Sequence, residues 1–399
     1  MLIALTAAVA LVAPLAVAPG PAAQRASSAQ TVAPRETPSG ARSPARIKLV
    51  RKGAVTRRAL GGAPTPSQPA SPASTPVAPA GTVPFTPITT PAPGAPASTP
   101  VPDPAALERA LAMPQNADFK AWYESDHGFE APRGDRHLIP FSDWEDGSNC
   151  ITRWDGDTRY LQPGCRPAAR QVRVTVDRAY GEALESHFGF PTATLNRIAC
   201  RPGDGTCDAV EAAVESTLAL HGIRCTPELI IPDHQWILDR SVPELRAVSI
   251  AILNATYGPG AAIDRRGRIE ALASFVQNAV PYRPVRGAQD DLMRDGKSRC
   301  GLRTPIATLF EGGDCDSKAL LLAALIRGVD ATVPLALVHC MSGDEPHMCL
   351  AVGCERAPDE VALDTDTGLL VVIETTTDWD LGRVSGATDL RDVELSRLR

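Results

Sequence analysis

The stretch Gly312-Gly313-Asp314-Cys315-Asp316-Ser317-Lys318 leads directly into eight consecutive apolar residues at 319–326, and Arg327 and Gly328 end the run. A helix that is apolar on every side must be buried on every side. Three strand-like segments follow at 333–338, 347–352 and 369–375, and turn residues at 364–368 join the last two. One buried helix packed on an antiparallel sheet predicts an α+β fold.

Cys315 stands where the glycine turn enters the N-terminus of this helix. Unpaired backbone N–H groups and the positive end of the helix dipole favour a thiolate there. Asp314 and Asp316 oppose it, since carboxylates disfavour a second negative charge nearby. A reactive Cys315 therefore needs a cationic partner, for which His347 is the candidate. It also needs a group that orients the imidazole, for which Glu374 at the end of the last strand is the candidate.

The body upstream of this stretch is predicted to be largely helical. Apolar residues at helical spacing predict helices at 209–221, 245–257 and 268–279. Asp208 is the expected cap of the first helix, and Ser241 with Glu244 forms a capping box before the second. Alternating polarity predicts a strand at 171–176, and the turn residues 155–157 predict a hairpin between Cys150 and Cys165.

Several short segments between residues 265 and 385 form a recognisable series. They are Phe-Val-Gln-Asn-Ala-Val-Pro-Tyr at 275–282, Thr-Pro-Ile-Ala-Thr-Leu at 304–309, Gly-Asp-Cys-Asp-Ser-Lys-Ala at 313–319, His-Met-Cys-Leu-Ala-Val at 347–352, and Ile-Glu-Thr-Thr at 373–376 with Trp379 and Gly382. Together they resemble the transglutaminase-like cysteine protease superfamily, in particular its bacterial and archaeal members. The resemblance implies a papain-like, transglutaminase-like core in which the buried helix carries the nucleophile.

The resemblance also implies roles for four residues. Cys315 would be the nucleophile, His347 the general base and acid, and Glu374 the carboxylate that holds the imidazole. Many relatives carry Asp at that third position, and Glu keeps the charge while adding a methylene. Gln277 would point an amide N–H at the developing oxyanion, together with the backbone N–H of Cys315. The alternative for Gln277 is a helix-end residue that bonds local backbone.

Cys349 stands where the family usually has a small residue, two positions after His347. Alternation along a strand puts the two side chains on one face. Cys349 could therefore crowd the site or act as a redox switch by bonding Cys315.

The reaction that the resemblance implies is acyl transfer through a thioester acyl-enzyme. Water as the second nucleophile makes the protein a cysteine peptidase or amidase, which we favour because the prokaryotic relatives that it resembles are mostly peptidases. A lysine amine as the second nucleophile would make it a protein-crosslinking transglutaminase. A third possibility is a non-catalytic cell-envelope binding module.

No cofactor or metal is expected from the sequence. A zinc site is the alternative, because Cys340, Cys349 and Cys354 with His339 and His347 supply enough ligand types. Their spacings lack the paired C-x-x-C knuckles of structural zinc sites.

Composition divides the chain into four parts. Residues 1–30 begin with an apolar run rich in Ala, Leu and Val and are predicted to be a signal peptide or an N-terminal anchor. Residues 31–106 are predicted to be a basic arm and a disordered proline-rich linker, since 14 of the 37 prolines fall between Pro64 and Pro104. The folded body follows, with an N-terminal part at 107–260 and the transglutaminase-like catalytic domain at 261–399.

Charge is segregated along the chain. Residues 1–62 hold nine Lys and Arg against one Glu, a net +8, whereas the remainder holds 31 basic and 45 acidic residues, a net −14. Such an acidic body argues against nucleic acid as a partner. The basic arm is expected to be a solvated spacer or to contact an anionic surface of the cell envelope.

The ten cysteines, together with the apolar N-terminal run, suggest export to an oxidising compartment, either secreted or in the cell envelope. Disulfides are expected among Cys150, Cys165, Cys200, Cys207 and Cys225. The expected substrate is a peptide, a protein or a cell-wall peptide.

Overall fold

The computed structural model of the protein describes residues 59–60, 103–125, 128–132, 136–146, 151–155, 158–162, 166, 168–226, 229–285, 295–366 and 368–399. All of them belong to the unit Arg46–Arg399. The predicted signal peptide or anchor at 1–30 lies outside the described residues. Of the predicted linker at 31–106, only residues 59–60 and 103–106 are described.

Nine helices lie among the described residues. They are α1 Pro104–Leu111, α2 Ala117–Ser125, α3 Arg178–His187, α4 Thr192–Leu195, α5 Thr206–Leu220, α6 His234–Tyr257, α7 Arg265–Ala279, α8 Pro305–Glu311 and α9 Cys315–Val329.

Fourteen strands lie among the described residues. They are β1 Ala59–Leu60, β2 Arg136–Asp146, β3 Ile151–Asp155, β4 Thr158–Leu161, β5 Ala168–Asp177, β6 Phe190–Pro191, β7 Ile223–Cys225, β8 Ile230–Pro232, β9 Lys297–Ser298, β10 Leu335–Ser342, β11 Glu345–Val352, β12 Ala362–Thr365, β13 Gly368–Ile373 and β14 Thr388–Leu398.

Helix α9 is the buried centre of the fold. Every residue at 319–326 is at most 1% exposed, as expected for a helix that is apolar on every side. The helix packs against α6, α7, α8 and strand β11. The mixed helix-and-sheet architecture predicted from this run is confirmed.

The sheet beside α9 has six antiparallel strands in the order β1-β12-β13-β11-β10-β14. Strand β11 lies between β10 and β13, with Cys340 opposite His347 and Leu350 opposite Ile373. These two registers bring the start of β11 and the end of β13 together at one end of the sheet.

One continuous hydrophobic core joins the two parts of the body that the sequence analysis separated. Val174 of β5 and Ile252 of α6 belong to the same core as Leu322 of α9 and Leu350 of β11. The other face of the sheet carries a second apolar cluster, which includes Val338, Cys349 and Val372. Residues 107–260 therefore pack directly on the helix that carries Cys315.

The three predicted helices are present, and each begins earlier than predicted. Helix α6 starts after Asp233, whose carboxylate accepts bonds from the N–H groups of Gln235 and Trp236. The predicted capping box at Ser241 is therefore wrong, because the Ser241 hydroxyl lies inside the helix and donates to the carbonyl of Ile237 at 2.8 Å. Burial of the whole apolar stripe of α6 overrides these local start signals.

Helix α5 begins at Thr206 after Gly205, so Asp208 lies in its first turn and is not the cap. The predicted strand at 171–176 lies within β5. Strands β3 and β4 pair with Asp155 opposite Thr158, which confirms the hairpin. Its flanking Cys150 and Cys165 lie outside the described residues.

Cys200 and Cys207 form a disulfide at the N-terminus of α5, one of those expected. Cys225 is a free thiol, in contrast to the pairing considered for it. The other free cysteines in the described part of the chain are Cys300, Cys315, Cys340, Cys349 and Cys354. Within the described ranges, no helix combines the length and the apolar character that a membrane crossing requires.

Candidate active site

Cys315 is the first residue of α9, and the turn before it requires two glycines. Gly312 has φ +79°, and a Cβ on it would lie 2.5 Å from the carbonyl oxygen of Pro281. A Cβ on Gly313 would lie 2.6 Å from Cβ of Ser317. The segment after α7 runs alongside this turn, since the Arg283 N–H donates to the Gly313 carbonyl at 3.0 Å. The turn is therefore held tightly against its neighbours.

His347 lies between Cys315 and Glu374. Its Nε2 is 2.7 Å from Oε2 of Glu374, and its side chain is 14% exposed. The imidazole also hydrogen-bonds to Cys315. Burial alone would lower the pKa of His347. The hydrogen bonds to Cys315 and Glu374 and the negative charges of both raise it instead, to about 10.

Four donors surround the carboxylate of Glu374, whose side chain is 5% exposed. Oε2 accepts from His347 and from the Cys349 thiol at 3.7 Å. Oε1 accepts from the backbone N–H of Thr376 at 2.9 Å and from its hydroxyl at 2.6 Å. Burial would raise the pKa of Glu374, but the bond to His347, its charge and the bonds from Thr376 lower it. The carboxylate is thus fixed in its charged form beside the imidazole.

The side-chain amide of Gln277 has a different partner from the one that the sequence analysis assigned. Its Nε2 donates to the backbone carbonyls of Glu374 at 2.7 Å and Trp379 at 2.9 Å. Both amide N–H bonds are therefore taken, and the oxyanion role expected for Gln277 does not fit this arrangement. Gln277 instead ties the end of α7 to the loop that follows β13.

Asp314 and Asp316 do not act as two independent charges. Burial comes first among the causes that raise the pKa of Asp316 well above its ordinary range, followed by its hydrogen bond to Asp314 and the charge of Asp314. Asp316 therefore favours the neutral acid. Oδ1 of Asp314 accepts from the hydroxyl of Ser317 at 2.7 Å, and Oδ2 accepts from the N–H of Val285 at 3.1 Å. The buried Asp316 therefore opposes a thiolate at Cys315 less than an exposed aspartate would.

Lys318 is a buried cation one turn along α9 from Cys315. Its side chain is 1% exposed, and Nζ donates to the carbonyls of Val280 at 2.9 Å and Gln277 at 3.4 Å. Burial lowers the pKa of Lys318 to about 8, while the charge of Glu374 acts in the opposite direction. Lys318 thus joins the nucleophile helix to the last turn of α7.

Two thiols lie behind the imidazole. Cys340 donates to the His347 carbonyl at 3.6 Å, and Cys349 contacts Glu374. The pKa of Cys349 is raised by its hydrogen bond to Cys340, by burial and by the charge of Glu374. Cys349 shares the strand face of His347 as predicted. Its thiol hydrogen-bonds to Glu374 and Cys340 and not to Cys315.

Of the five zinc ligands considered in the sequence analysis, His339 and Cys354 have partners away from the other three. His339 bonds to the Ser396 hydroxyl at 3.0 Å, and Cys354 lies by the Arg266 and Glu360 side chains. The described residues do place His347, Cys349 and Glu374 together, with one ligand atom of each within 4.8 Å of the others.

A cavity of about 630 Å³ lies beside the site and not at it. Val285 and Arg303 line it on the side nearest the glycine turn. Arg303 donates to the Gly312 carbonyl at 2.8 Å, and Arg299 pairs with Asp295. The cavity's arginine charges are therefore largely matched by local acceptors.

The structure brings Cys315, His347 and Glu374 together and places Gln277 behind Glu374. Sequence reasoning missed Thr376, Cys340 and Lys318 as parts of this site. A lysine directly before the apolar run 319–326 was the one available signal, because a buried cation needs partners. No family model, curated protein or solved structure matches the chain.

Proposed function

We propose that the protein is a cysteine amidase or peptidase that cleaves an amide bond through Cys315, His347 and Glu374. One observation carries the proposal: a partly buried imidazole is hydrogen-bonded on one side to a thiol at a helix N-terminus and on the other to a buried carboxylate. Nucleophile, base and orienting group in hydrogen-bond series are the signature of covalent acyl transfer. The papain-like, transglutaminase-like core expected from the sequence belongs to the same proposal.

The first half of the reaction forms the acyl-enzyme. The Cys315 thiolate attacks the amide carbonyl carbon, and the electron pair of the C=O bond moves to oxygen. The backbone N–H of Cys315 lies at the first position of α9, where helix N–H groups have no intrahelical acceptor, and it is the donor available to that oxyanion. The imidazolium of His347 then protonates the leaving amine, and a thioester remains.

The second half regenerates the enzyme. Neutral His347 takes a proton from water, the hydroxide attacks the thioester, and the carboxylic acid product leaves as the Cys315 thiolate forms. Glu374 stabilises the imidazolium in both halves without taking its proton. Gln277 and Thr376 hold Glu374 in place and do not touch the reacting atoms.

The proposed substrate is a peptide, a protein or a cell-wall peptide, met outside the cytoplasm in a secreted or envelope-attached form. The support for this setting is the apolar N-terminal run and the Cys200–Cys207 disulfide, while the acidic charge of the chain after residue 62 argues against nucleic acid. The basic arm is proposed to contact an anionic envelope surface, and nucleic acid is not a proposed partner.

The test is mass spectrometry of peptide and cell-wall peptide libraries after incubation with the full-length protein. Hydrolysis adds the mass of water to a cleaved amide, and Cys315→Ala should abolish it. A primary amine added to the same reaction distinguishes a crosslinking transglutaminase, because the amine would then be incorporated in place of water. Absence of both products, with Cys315 no more reactive than a free cysteine towards a thiol probe, would favour the non-catalytic binding module.

A further inference from the structure

Three potential metal ligands of different chemistry, a nitrogen, a sulfur and an oxygen atom, lie close together around the His347 imidazole. A ring nitrogen of His347, Sγ of Cys349 and a carboxylate oxygen of Glu374 all lie within 4.8 Å of one another, and Nε2 is the nitrogen in contact with Glu374. Cys349 is fully buried, and Glu374 is 4% exposed. Nε2 faces Glu374, so Nδ1 is the nitrogen left for Cys315. The three ligand atoms therefore lie on the side of the ring away from the nucleophile.

The two separations that involve Glu374 can be compared with those of a tetrahedral metal centre, and the His347 and Cys349 ligand atoms lie within 4.8 Å of each other. Bond lengths of about 2.0–2.3 Å imply ligand-to-ligand distances of roughly 3.2–3.8 Å in a tetrahedral zinc site. The Cys349 sulfur is 3.7 Å from Oε2 of Glu374, which already fits. The 2.7 Å between Nε2 and Oε2 must open by about half an ångström.

We propose that His347, Cys349 and Glu374 form a binding site for a thiophilic divalent cation of the Zn²⁺ or Cd²⁺ type, and that its occupancy switches the triad off. The binding stands on geometry alone, whereas the inactivation rests on the proposed function. One nitrogen, one sulfur and one oxygen ligand suit zinc-like ions and exclude Mg²⁺ and Ca²⁺, which require oxygen ligands. The Cys340 thiol is hydrogen-bonded to Cys349. The fourth ligand of the cation would therefore be the sulfur of Cys340 or a water molecule.

Binding and triad function exclude each other by proton balance. The cation replaces the proton that His347 holds on Nε2 towards Glu374, and it replaces the thiol proton of Cys349. Two protons pass to solvent as three metal–ligand bonds form. A metal on Nε2 withdraws charge from the ring, so Nδ1 becomes a poor acceptor for the Cys315 proton. Glu374 is at the same time removed from its role beside the imidazole.

The test is a titration of the full-length protein with Cd²⁺, followed by the ultraviolet thiolate-to-cadmium charge-transfer band. Wild type and Cys315→Ala should both bind one equivalent with equal affinity. Cys349→Ala should bind at least about tenfold more weakly, because even the loss of an outer-shell partner of a metal ligand costs about that much. Cys354→Ala is the matched control, because it removes a partly buried thiol far from the triad, and it should bind as wild type does.

Two results would overturn the proposal. One is unchanged Cd²⁺ affinity in Cys349→Ala together with loss in Cys315→Ala, which would put the ion on the nucleophile side. The other is no stoichiometric binding by wild type. If Cys349→Ala loses its native circular dichroism, Glu374→Gln replaces it and carries the same expectation. The optical readout needs no turnover, so a failure to bind Cd²⁺ is distinct from a failure of the amidase proposal. If the protein is an active amidase, we also expect Zn²⁺ to inhibit it and a chelator to restore the activity.

Discussion

The side-chain amide of Gln277 donates a 2.7 Å hydrogen bond to the backbone carbonyl of Glu374, across 97 positions of sequence. The same amide also donates to the carbonyl of Trp379. One side chain at the end of α7 therefore binds the loop after β13 at both Glu374 and Trp379. Lys318 in turn donates to the Gln277 carbonyl. The nucleophile helix, α7 and the carboxylate loop are therefore linked through a single residue.

Replacing Gln277 with Met removes both donors and keeps the side-chain length. We expect kcat to fall by about tenfold with little change in KM, because Glu374 loses its support while the reacting atoms keep theirs. An NMR titration of the His347 ring should show a lower midpoint in this variant. A fall of about 10²–10³-fold in kcat with an unchanged His347 titration would point instead to a donor that acts on the oxyanion.

Glu374→Gln should keep the fold and slow acylation by roughly 10²–10⁴-fold, because a neutral amide does not stabilise the imidazolium. The pKa of His347, about 10 in the intact site, should fall towards its ordinary range. Single-turnover kinetics and the same NMR titration measure the two effects. Asp364→Asn is the matched control, since Asp364 is an exposed strand carboxylate in β12, and wild-type rates in Glu374→Gln would remove Glu374 from the triad.

Alkylation of Cys315 should depend on His347. Because the raised pKa of His347 keeps the imidazole protonated up to about pH 10, iodoacetamide is expected to modify Cys315 throughout the neutral range. In His347→Ala the cation is gone, and alkylation should need a more alkaline solution. Peptide mapping separates Cys315 from the other cysteines. An unchanged pH profile in the variant would show that the two residues are not partners.

Lys318 predicts a specific pH dependence of stability. Its pKa falls from the ordinary 10.5 to about 8 in the folded chain, so between these values the unfolded chain binds the proton and the folded chain does not. Stability from this group therefore rises with pH above about 8, by on the order of 3 kcal/mol in full. The free energy of unfolding of wild type, minus that of Lys318→Met, should increase from pH 7.5 to pH 9.5. A difference that decreases over this range would contradict the burial of a lysine charge.

Deletion of residues 1–102 should leave the body folded. Among the described residues, the buried apolar core begins at Ala106, and the segment removed contributes the two-residue edge strand β1. We expect Tm to change by less than about 3 °C, or roughly 1 kcal/mol, and turnover on a small soluble substrate to be unchanged. Deletion to residue 111 is the control, because it also removes the buried Ala106 and Ala110 of α1 and should destabilise the protein.

The sequence by itself determined the buried helix, the antiparallel strands after it and the three residues that meet at its start. Eight consecutive apolar residues can be placed in one environment only, the interior, and strand alternation fixes which side chains share a face. The family resemblance of the segments then implied that Cys315, His347 and Glu374 would meet. These features depend on local pattern, which can be read without the fold.

Tertiary structure alone decided which partners the remaining polar groups take. Gln277 bonds to the Glu374 loop, Asp316 hydrogen-bonds to Asp314, and Cys349 contacts Glu374. Each outcome depends on distances between elements that are far apart in sequence or on burial that removes water from one carboxyl group. Ser241 shows the same effect in α6, where packing extended the helix past a strong local start signal. Side-chain partners and protonation states follow from packing, because desolvation makes every buried polar group take the partner that the fold places beside it.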